Sequence, residues 1–199
     1  GNFFDFMNQA GLNVSFINKY GEKIGSFVPN NSRRNIKTEL KQLRMYDSEK
    51  ERLDMARRLE IASVSNIRAN LRYYQRRKNA TELEAAVKDM TDIITKLNEA
   101  RDINHMMMLE AQARQKYYGC FNSILEGKQF YFDKRTRRPP QDPLNAMISF
   151  GNTLLYQRIA NEINRTSLDI RIGIVHAAGN RPESLNLDLA DLFKPILVD

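Results

Sequence analysis

The sequence predicts a mainly α-helical protein, in which a helical domain follows the remnant of a small β-sheet domain. From about residue 36 onward, apolar residues recur three and four positions apart, the spacing of one face of an α-helix. Before that point apolar and polar residues alternate in two short runs, a pattern typical of β-strands. We therefore divide the chain into the end of an N-terminal β domain at 1–29, a polar linker at 30–35 and a helical domain at 36–199.

The N-terminal segment predicts a short helix and a hairpin. Residues 3–10 could form the helix, which Gly11 would stop. The alternating runs at 12–17 and 23–28 would be strands joined by a turn at 19–22. Because two strands alone are only marginally stable, the sequence predicts the end of a sheet domain whose earlier strands are absent.

Capping signals and an apolar stripe define the first helices after the linker. Ser48-x-x-Glu51 and Thr81-x-x-Glu84 are capping boxes, and the second predicts a helix that runs to about Asn98. Between them, the stripe expected to face the core consists of Val64, Ile67, Leu71 and Tyr74.

A second stripe on the same predicted helix is basic. Arg68, Arg72 and Arg76 recur every four residues and therefore share a face. Basic stripes are frequent in proteins that contact nucleic-acid phosphates, but a plain solvent-exposed face can carry the same pattern. The sequence leaves both interpretations open and makes these arginines second-rank candidates for DNA binding.

A helix predicted over about 102–125 carries a carboxylate on its apolar face. Glu110 follows Met107 by three residues and shares its face. An isolated buried charge is costly, so this carboxylate must be paired, protonated or bound to a cation. The ordinary partner is Arg114, one turn later.

The loop predicted over 126–142 combines basic and aromatic residues. Lys134, Arg135, Arg137 and Arg138 follow the aromatic run 130–132, and this combination suits phosphate contact and base stacking. A flexible solvated loop is the alternative. Asp142-Pro143 then predicts the start of a helix that extends to about residue 163.

The C-terminal stretch brings a histidine and two aspartates into one short region. An apolar segment at 172–175 ends at His176, and a turn is predicted at 179–182. A helix should then begin with Ser184 as its N-cap and be closed by Pro195. Asp188 and Asp191 would share a face of it.

These three side chains could converge on a divalent cation. The alternative is a core histidine with two solvated aspartates, because short motifs often match by chance.

Composition narrows the class of protein. The net charge of +7 over 199 residues favours a polyanionic partner, of which nucleic acid is the usual one. The single cysteine, Cys120, excludes an intrachain disulfide and a thiolate metal cage. No membrane-spanning run, signal peptide, P-loop or zinc-ligand spacing is present, so we expect a cytoplasmic protein with no membrane partner.

Taken in order, these features resemble the CRISPR adaptation integrases, the larger protein of the pair that installs new spacers. The strings that carry the resemblance are NVSFINKYGEKIGSFVP, LEAQARQKYY, RRPPQDPLNAMISFGNTLL and LDLADLFKPILVD. It covers nearly all of the chain. The resemblance implies a metal-ligand triad of Glu110, His176 and Asp191, with Asp188 as a second acidic residue, in a two-domain α+β protein. Since that family extends further at both ends, we expect this chain to be truncated.

The function implied by the resemblance is a metal-dependent DNA endonuclease and integrase that inserts spacer DNA into a CRISPR array by transesterification. Two carboxylates and one imidazole suit Mn²⁺ or Mg²⁺, which can activate water or a DNA 3′-OH. The implied partners are double-stranded DNA with 3′ overhangs, CRISPR repeat DNA, a second copy of the chain and a small ferredoxin-like adaptation protein. Arg135, Arg137 and Arg138 are the first candidates for phosphate contacts.

Two other functions stay open at this stage. A casposase, the related transposon-borne integrase, would use the same residues. A non-catalytic, basic helical module that binds nucleic acid would instead pair Glu110 with Arg114 and leave the aspartates in solvent.

Overall fold

The computed structural model describes residues 1–20, 23–30, 35–78, 80–176 and 182–199. Within them the elements follow in this order: α1 (Asn2–Gln9), β1 (Val14–Ile17), β2 (Lys23–Phe27), α2 (Ile36–Asp47), α3 (Glu49–Lys78), α4 (Thr81–Glu99), α5 (Ile103–Gly119), α6 (Phe121–Ile124), a 3-10 turn (Lys128–Phe130), α7 (Pro143–Asn164) and α8 (Ser184–Leu197). The predicted mainly helical fold with a small sheet in its N-terminal region is confirmed.

The N-terminal hairpin is antiparallel and rests on α7. Val14 pairs with Phe27 in the two-stranded sheet. The side chains of Asn13 and Ser15 both donate hydrogen bonds to Asn161, over 3.0 and 3.2 Å. Part of the predicted turn, 21–22, and most of the predicted linker, 31–34, lie outside the described residues. The division into two domains therefore stays a prediction.

The core is organised around the long helix α3. It packs against α4, α5 and α8. Val64, Ile67 and Leu71 are completely buried, as their spacing predicted. They meet apolar side chains of the neighbouring helices: Met90 and Leu97 of α4, Met106 and Tyr117 of α5, and Ala190 of α8. None of the described helices is both long and apolar enough to cross a membrane.

The helix predicted over 102–125 is interrupted near its end. Asp102 caps α5 by accepting a hydrogen bond from the backbone of His105, and the helix ends at Gly119. The Cys120 N–H then bonds to the Tyr117 carbonyl, three residues back, so the last turn is tightened. Phe121 packs edge-on against Tyr117 with ring centroids 5.1 Å apart, and the chain resumes as α6.

Pro195 does not close the last helix, contrary to the sequence prediction. α8 continues to Leu197 with Pro195 inside it. Ser184 is the first helical residue, and Glu183 occupies the N-cap position. Proline lacks an N–H group and cannot bond to the carbonyl four residues earlier, which here belongs to Asp191. That carbonyl accepts a hydrogen bond from the Ser63 hydroxyl at 3.0 Å instead.

Two further polar residues of α3 donate hydrogen bonds to backbone carbonyls of α8. After Ser63, Asn66 donates to the Leu192 carbonyl at 2.8 Å, and Asn70 donates to the Pro195 carbonyl at 3.1 Å. Their spacing of three and four places them on one flank of α3. The α8 backbone is therefore held against α3 by hydrogen bonds as well as by apolar contact.

We expect Ser63→Ala to lower the free energy of unfolding by about 1 kcal/mol, because the Asp191 carbonyl loses its shorter hydrogen bond and is left with the longer, 3.4 Å contact from the Arg114 guanidinium. Urea unfolding followed by circular dichroism measures the change. Ser65→Ala, two residues along the same helix, is the matched control and should shift stability by less than about 0.5 kcal/mol. Equal effects of the two substitutions would contradict the role given to Ser63.

Candidate active site

The candidate site lies where α3, α5, α8 and the segment before α8 meet. Glu110 comes from α5, Asp188 and Asp191 come from α8, and His176 ends the segment that leads to α8. A small pocket opens between α3, α8 and the segment before α8, with walls formed by Leu59, Glu60, Ser63, Val175, Asp188 and Asp191. The structure thus brings together residues that are widely separated in the sequence.

Asp188 holds the segment that carries His176. Its side chain is fully buried, and its carboxylate accepts hydrogen bonds from the backbone N–H groups of Ile174, Val175 and His176. The same carboxylate lies 2.7 Å from Nδ1 of the His176 ring. A neutral imidazole that donates from Nδ1 presents its Nε2 lone pair, so Asp188 orients the histidine as the outer carboxylate of many metal sites does. Asp188 is therefore a positioning residue.

The other side of this segment is anchored by α2 and α3. The amide of Gln42 donates to the carbonyls of Asp169 and Ile172, both at 3.0 Å, and accepts from the Asp169 N–H at 2.8 Å. Arg52 donates to the Ile174 carbonyl at 2.8 Å. Sequence analysis missed both residues. The signal available for Gln42 was its place on the inward face of α2, where it is buried.

Gly173 makes this close packing possible. A Cβ atom at this position would lie 2.5 Å from the His176 carbonyl oxygen and 2.6 Å from the Ser184 Cβ. Both distances are far below van der Waals contact. Any larger residue would therefore push apart the histidine segment and the start of α8.

Arg114 links the two remaining carboxylates. Its guanidinium forms an ion pair with Glu110, one turn earlier on α5, and a second one with Asp191 of α8 at 3.0 Å. Lys194 also pairs with Asp191, at 2.6 Å. The four side chains are between 13% and 20% exposed, so these pairs are shielded from solvent. The Glu110–Arg114 pair that the sequence offered as an alternative is present, whereas the solvated aspartates are not.

The charges of this cluster shift its pKa values in opposite directions. Burial raises the pKa of Glu110, and Arg114 opposes that rise. Burial also acts to raise the pKa of Asp191, but Arg114 and Lys194, with a smaller contribution from His176, hold it below its ordinary value. Asp191 is therefore the more firmly ionised of the two carboxylates.

Glu60 is a site residue that sequence analysis missed. It lies on α3 within the pocket wall and is only 6% exposed. Burial, reinforced by the negative charges of Glu110 and Asp191, raises the pKa of Glu60 to about 9. The signal was present in the sequence, because Glu60 precedes Val64, Ile67 and Leu71 at helical spacing and so shares the core face of α3.

The side chains of the site are of the kinds that bind divalent cations, but in this structure Arg114 occupies the carboxylates of Glu110 and Asp191. Carboxylate oxygens of Glu110 and Asp191 with an imidazole nitrogen of His176 suit Mn²⁺ or Mg²⁺. As the side chains stand, no three His, Cys, Asp or Glu residues in the described ranges could hold a metal ion. Arg114 and Lys194 supply the positive charge instead.

The three loop arginines grouped by the sequence occupy different environments. Arg135 is half-buried and donates to the Asn145 side chain at 2.7 Å and to the Ser149 hydroxyl at 3.0 Å, so it fixes the loop to α7. Arg137 and Arg138 are exposed. Only these two present their guanidinium groups to solvent.

The basic stripe of α3 lies away from the pocket. Arg68 donates to the Thr91 hydroxyl of α4 at 3.3 Å, while Arg72 and Arg76 are exposed. This flank faces α4, whereas Ser63 and Asn66 mark the opposite flank, which faces α8. The structure therefore does not bring these arginines to the acidic cluster, and their predicted contact with DNA stays a prediction.

Comparison with known proteins gives matches over all or nearly all of the chain. The family model described as CRISPR associated protein Cas1 matches residues 1–199. The CRISPR-associated endonuclease Cas1 2 of Thermodesulfovibrio yellowstonii is 36% identical over 195 residues, 98% of this chain and 58% of that protein. The CRISPR-associated endonuclease Cas1 of Haloferax volcanii is 37% identical over 193 residues, 97% of this chain and 57% of that protein. The chain spans less than three fifths of the length of either relative.

Solved structures show the same fold. A Cas1 protein from Thermotoga maritima has a TM-score of 0.84 at 35% identity, covering 99% of this chain and 61% of its own. A partial complex of a Cas6-RT-Cas1 protein with Cas2 has a TM-score of 0.76 at 25% identity. The match covers 94% of this chain and 56% of the chain in that complex. A casposase bound to integration product has a TM-score of 0.82 at 23% identity, and the match covers 98% of this chain and 54% of the casposase chain. At that identity the likeness shows the fold alone.

Proposed function

The chain belongs to the CRISPR-associated Cas1 family, and on that premise we propose that it is a divalent-metal-dependent DNA endonuclease and integrase. Its reaction would be the joining of spacer DNA to a CRISPR array by transesterification. The observation that carries the proposal is the pairing of Glu110 and Asp191, from two different helices, with one guanidinium beside an anchored histidine. A basic scaffold protein has no need for such a buried acidic cluster, because the cluster costs desolvation energy.

In the proposed reaction, different residues of this chain would bind the cation, orient the histidine and balance charge. Glu110 and Asp191 would bind Mn²⁺ or Mg²⁺ through oxygen, and His176 would bind it through Nε2, the nitrogen that Asp188 leaves available. The bound cation would lower the pKa of a water or a DNA 3′-OH and stabilise charge on the phosphate under attack. No protein nucleophile is needed in this chemistry. Arg114 would act as the counter-charge that keeps the carboxylates together before the cation binds.

The proposed substrates and partners follow from the relatives. We propose that the chain acts on double-stranded DNA with 3′ overhangs and on CRISPR repeat DNA. One structural neighbour is a complex with Cas2, which supports a small partner of that kind. A second copy of the chain completes the proposed assembly. Because the chain is shorter than its relatives, each of these partners is part of the proposal.

A casposase-type integrase is the second candidate, because the sequence resemblance implies the same Glu110, His176 and Asp191 triad for both kinds of integrase. The two candidates differ in target, since only the CRISPR integrase requires a repeat. Equal joining to plasmids with and without a CRISPR repeat would favour the casposase activity.

The proposal is tested by incubating the protein with a labelled duplex that has 3′ overhangs and a plasmid that carries a CRISPR repeat. We expect labelled plasmid when Mn²⁺ is present and none when EDTA is added. Cleavage or joining that persists at full rate in EDTA would overturn metal dependence. Tight binding of both DNAs without either reaction in Mn²⁺ or Mg²⁺ would instead support a non-catalytic module.

We expect Arg137→Ala with Arg138→Ala to weaken DNA binding and to reduce the slope of log K against log salt by about 2, because each phosphate contact releases about one counterion. Both side chains are exposed, so the protein should stay folded. Fluorescence anisotropy across a salt series measures the slope. Lys37→Ala with Lys41→Ala, on an exposed face of α2, removes the same charge and is the matched control. An unchanged slope in the arginine variant would remove the loop from the DNA-binding surface.

A further inference from the structure

One carboxyl group in the pocket is used neither by the predicted triad nor by the histidine segment. Glu60 projects from α3 into the pocket that Asp188 and Asp191 also line. Its residue is only 6% exposed, and its oxygen Oε2 is completely buried. Within the described part of the chain, this oxygen has no hydrogen-bond partner. An unpaired buried carboxyl oxygen is costly, so its presence calls for a partner that the protein does not itself provide.

The neighbouring groups cannot supply that partner. The hydroxyl of Ser63 already donates to the Asp191 carbonyl. The Asp188 carboxylate is occupied by four donors, and it is itself an acceptor. Leu59 and Val175, which complete the pocket wall, are apolar. Arg114 and Lys194 are the nearby cations, and both are engaged with Asp191.

The charge balance of the cluster points to the nature of the missing partner. The carboxyl groups Glu60, Glu110, Asp188 and Asp191 outnumber the two cations Arg114 and Lys194, and Asp199 adds a further carboxyl group that interacts with both cations. The cluster therefore has more acidic than basic groups, and a bound cation would balance part of that excess.

We propose that Glu60 is an additional carboxylate ligand of the divalent cation, reaching it from α3, which packs against both α5 and α8. This inference rests on the proposed function, because it concerns the same cation. Glu60 would bind through Oε2, which has no hydrogen-bond partner among the described residues and belongs to a side chain that lines the pocket together with Asp191. Hard cations such as Mn²⁺ and Mg²⁺ take six oxygen or nitrogen ligands, so a third carboxylate has room in their coordination shell.

Electron paramagnetic resonance of free Mn²⁺, titrated with metal-free protein, tests the role of Glu60 without reference to activity. We expect Glu60→Gln to raise the Kd for Mn²⁺ at least tenfold, since the amide keeps the shape of the side chain but loses its charge. The thermal stabilisation that Mn²⁺ gives the parent should shrink in parallel. Glu49→Gln, an exposed glutamate at the start of the same helix, is the matched control and should bind Mn²⁺ like the parent.

The possible results separate the two claims. A parent-like Kd in Glu60→Gln, together with weakened binding in Asp191→Asn, would overturn the role of Glu60 alone. A parent protein that binds no Mn²⁺ would overturn the proposed function and this inference together. Should Glu60→Gln fail to fold, the same titration of Glu60→Asp decides: a Kd at least threefold above the parent value supports the proposal, and an unchanged Kd overturns it.

Discussion

We expect Glu110→Gln and His176→Ala each to lower Mn²⁺-dependent cleavage and strand joining by more than about 100-fold, which exceeds the usual effect of changing an outer-shell residue. The glutamine keeps the shape of Glu110 but removes the charge that Arg114 now balances. The alanine removes the only imidazole beside Asp188 in the described part of the chain. The measurement is the initial rate of labelled product formation at saturating Mn²⁺.

Two controls separate chemistry from folding and binding. DNA affinity should stay within about twofold of the parent value, because neither side chain belongs to the exposed basic loop. Glu84→Gln, on an exposed position of α4, should leave the rate unchanged. If either Glu110→Gln or His176→Ala joins DNA at the parent rate, the assignment of that residue as a metal ligand is wrong.

The second large effect concerns stability. We expect Asp188→Ala to lower the free energy of unfolding by about 3–5 kcal/mol, because three backbone N–H groups and the His176 ring lose their common acceptor. The N–H groups of Ile174 and Val175 lie on buried residues, where water cannot replace the carboxylate. Urea unfolding of the metal-free protein measures the loss directly.

Two further variants sharpen this test. Asp188→Asn keeps one acceptor oxygen and should be less destabilising than Asp188→Ala. Asp92→Ala, on an exposed position of α4, should change stability by less than about 0.5 kcal/mol. A loss below about 1 kcal/mol in Asp188→Ala would mean that the histidine segment is held by Gln42 and Arg52 rather than by Asp188.

Most of the fold could be predicted from the sequence because its helices carry local signals, namely capping residues and apolar stripes. The cap at Asp142 and the stripe beginning at Val64 lie where the sequence places them. The errors arise where tertiary contacts override local signals. Pro195 normally ends a helix, but Ser63 of another helix satisfies the carbonyl that the proline leaves free. The end of α5 at Gly119 was missed because the apolar helix pattern continues through Phe121 and Leu125.

The candidate site could be predicted only in part. Resemblance to a family indicated Glu110, His176 and Asp191, and the i, i+4 rule indicated Arg114 as a partner of Glu110. That Arg114 also reaches Asp191 depends on how α5 and α8 pack, which no sequence spacing encodes. The buried role of Asp188 depends in the same way on the path of the segment before α8. The predicted turn at 179–182 falls mostly outside the described residues.

The role of Glu60 could not be predicted from its position in the sequence. Its helical position was visible in the sequence, but a single glutamate before an apolar stripe is ordinarily the polar edge of that stripe. Only the structure shows that it is buried and unpaired beside other carboxylates. The same holds for Arg135, whose bonds to Asn145 and Ser149 separate it from the exposed arginines that follow it.

The most direct measurement is the anomalous diffraction of crystals of this protein soaked in MnCl₂. We expect one Mn²⁺ peak within bonding distance of Glu110, His176 and Asp191, with the Arg114 guanidinium displaced from at least one of the two carboxylates. A map in which Arg114 still joins Glu110 to Asp191 and Mn²⁺ binds elsewhere or nowhere would contradict the central claim that these side chains form a metal site.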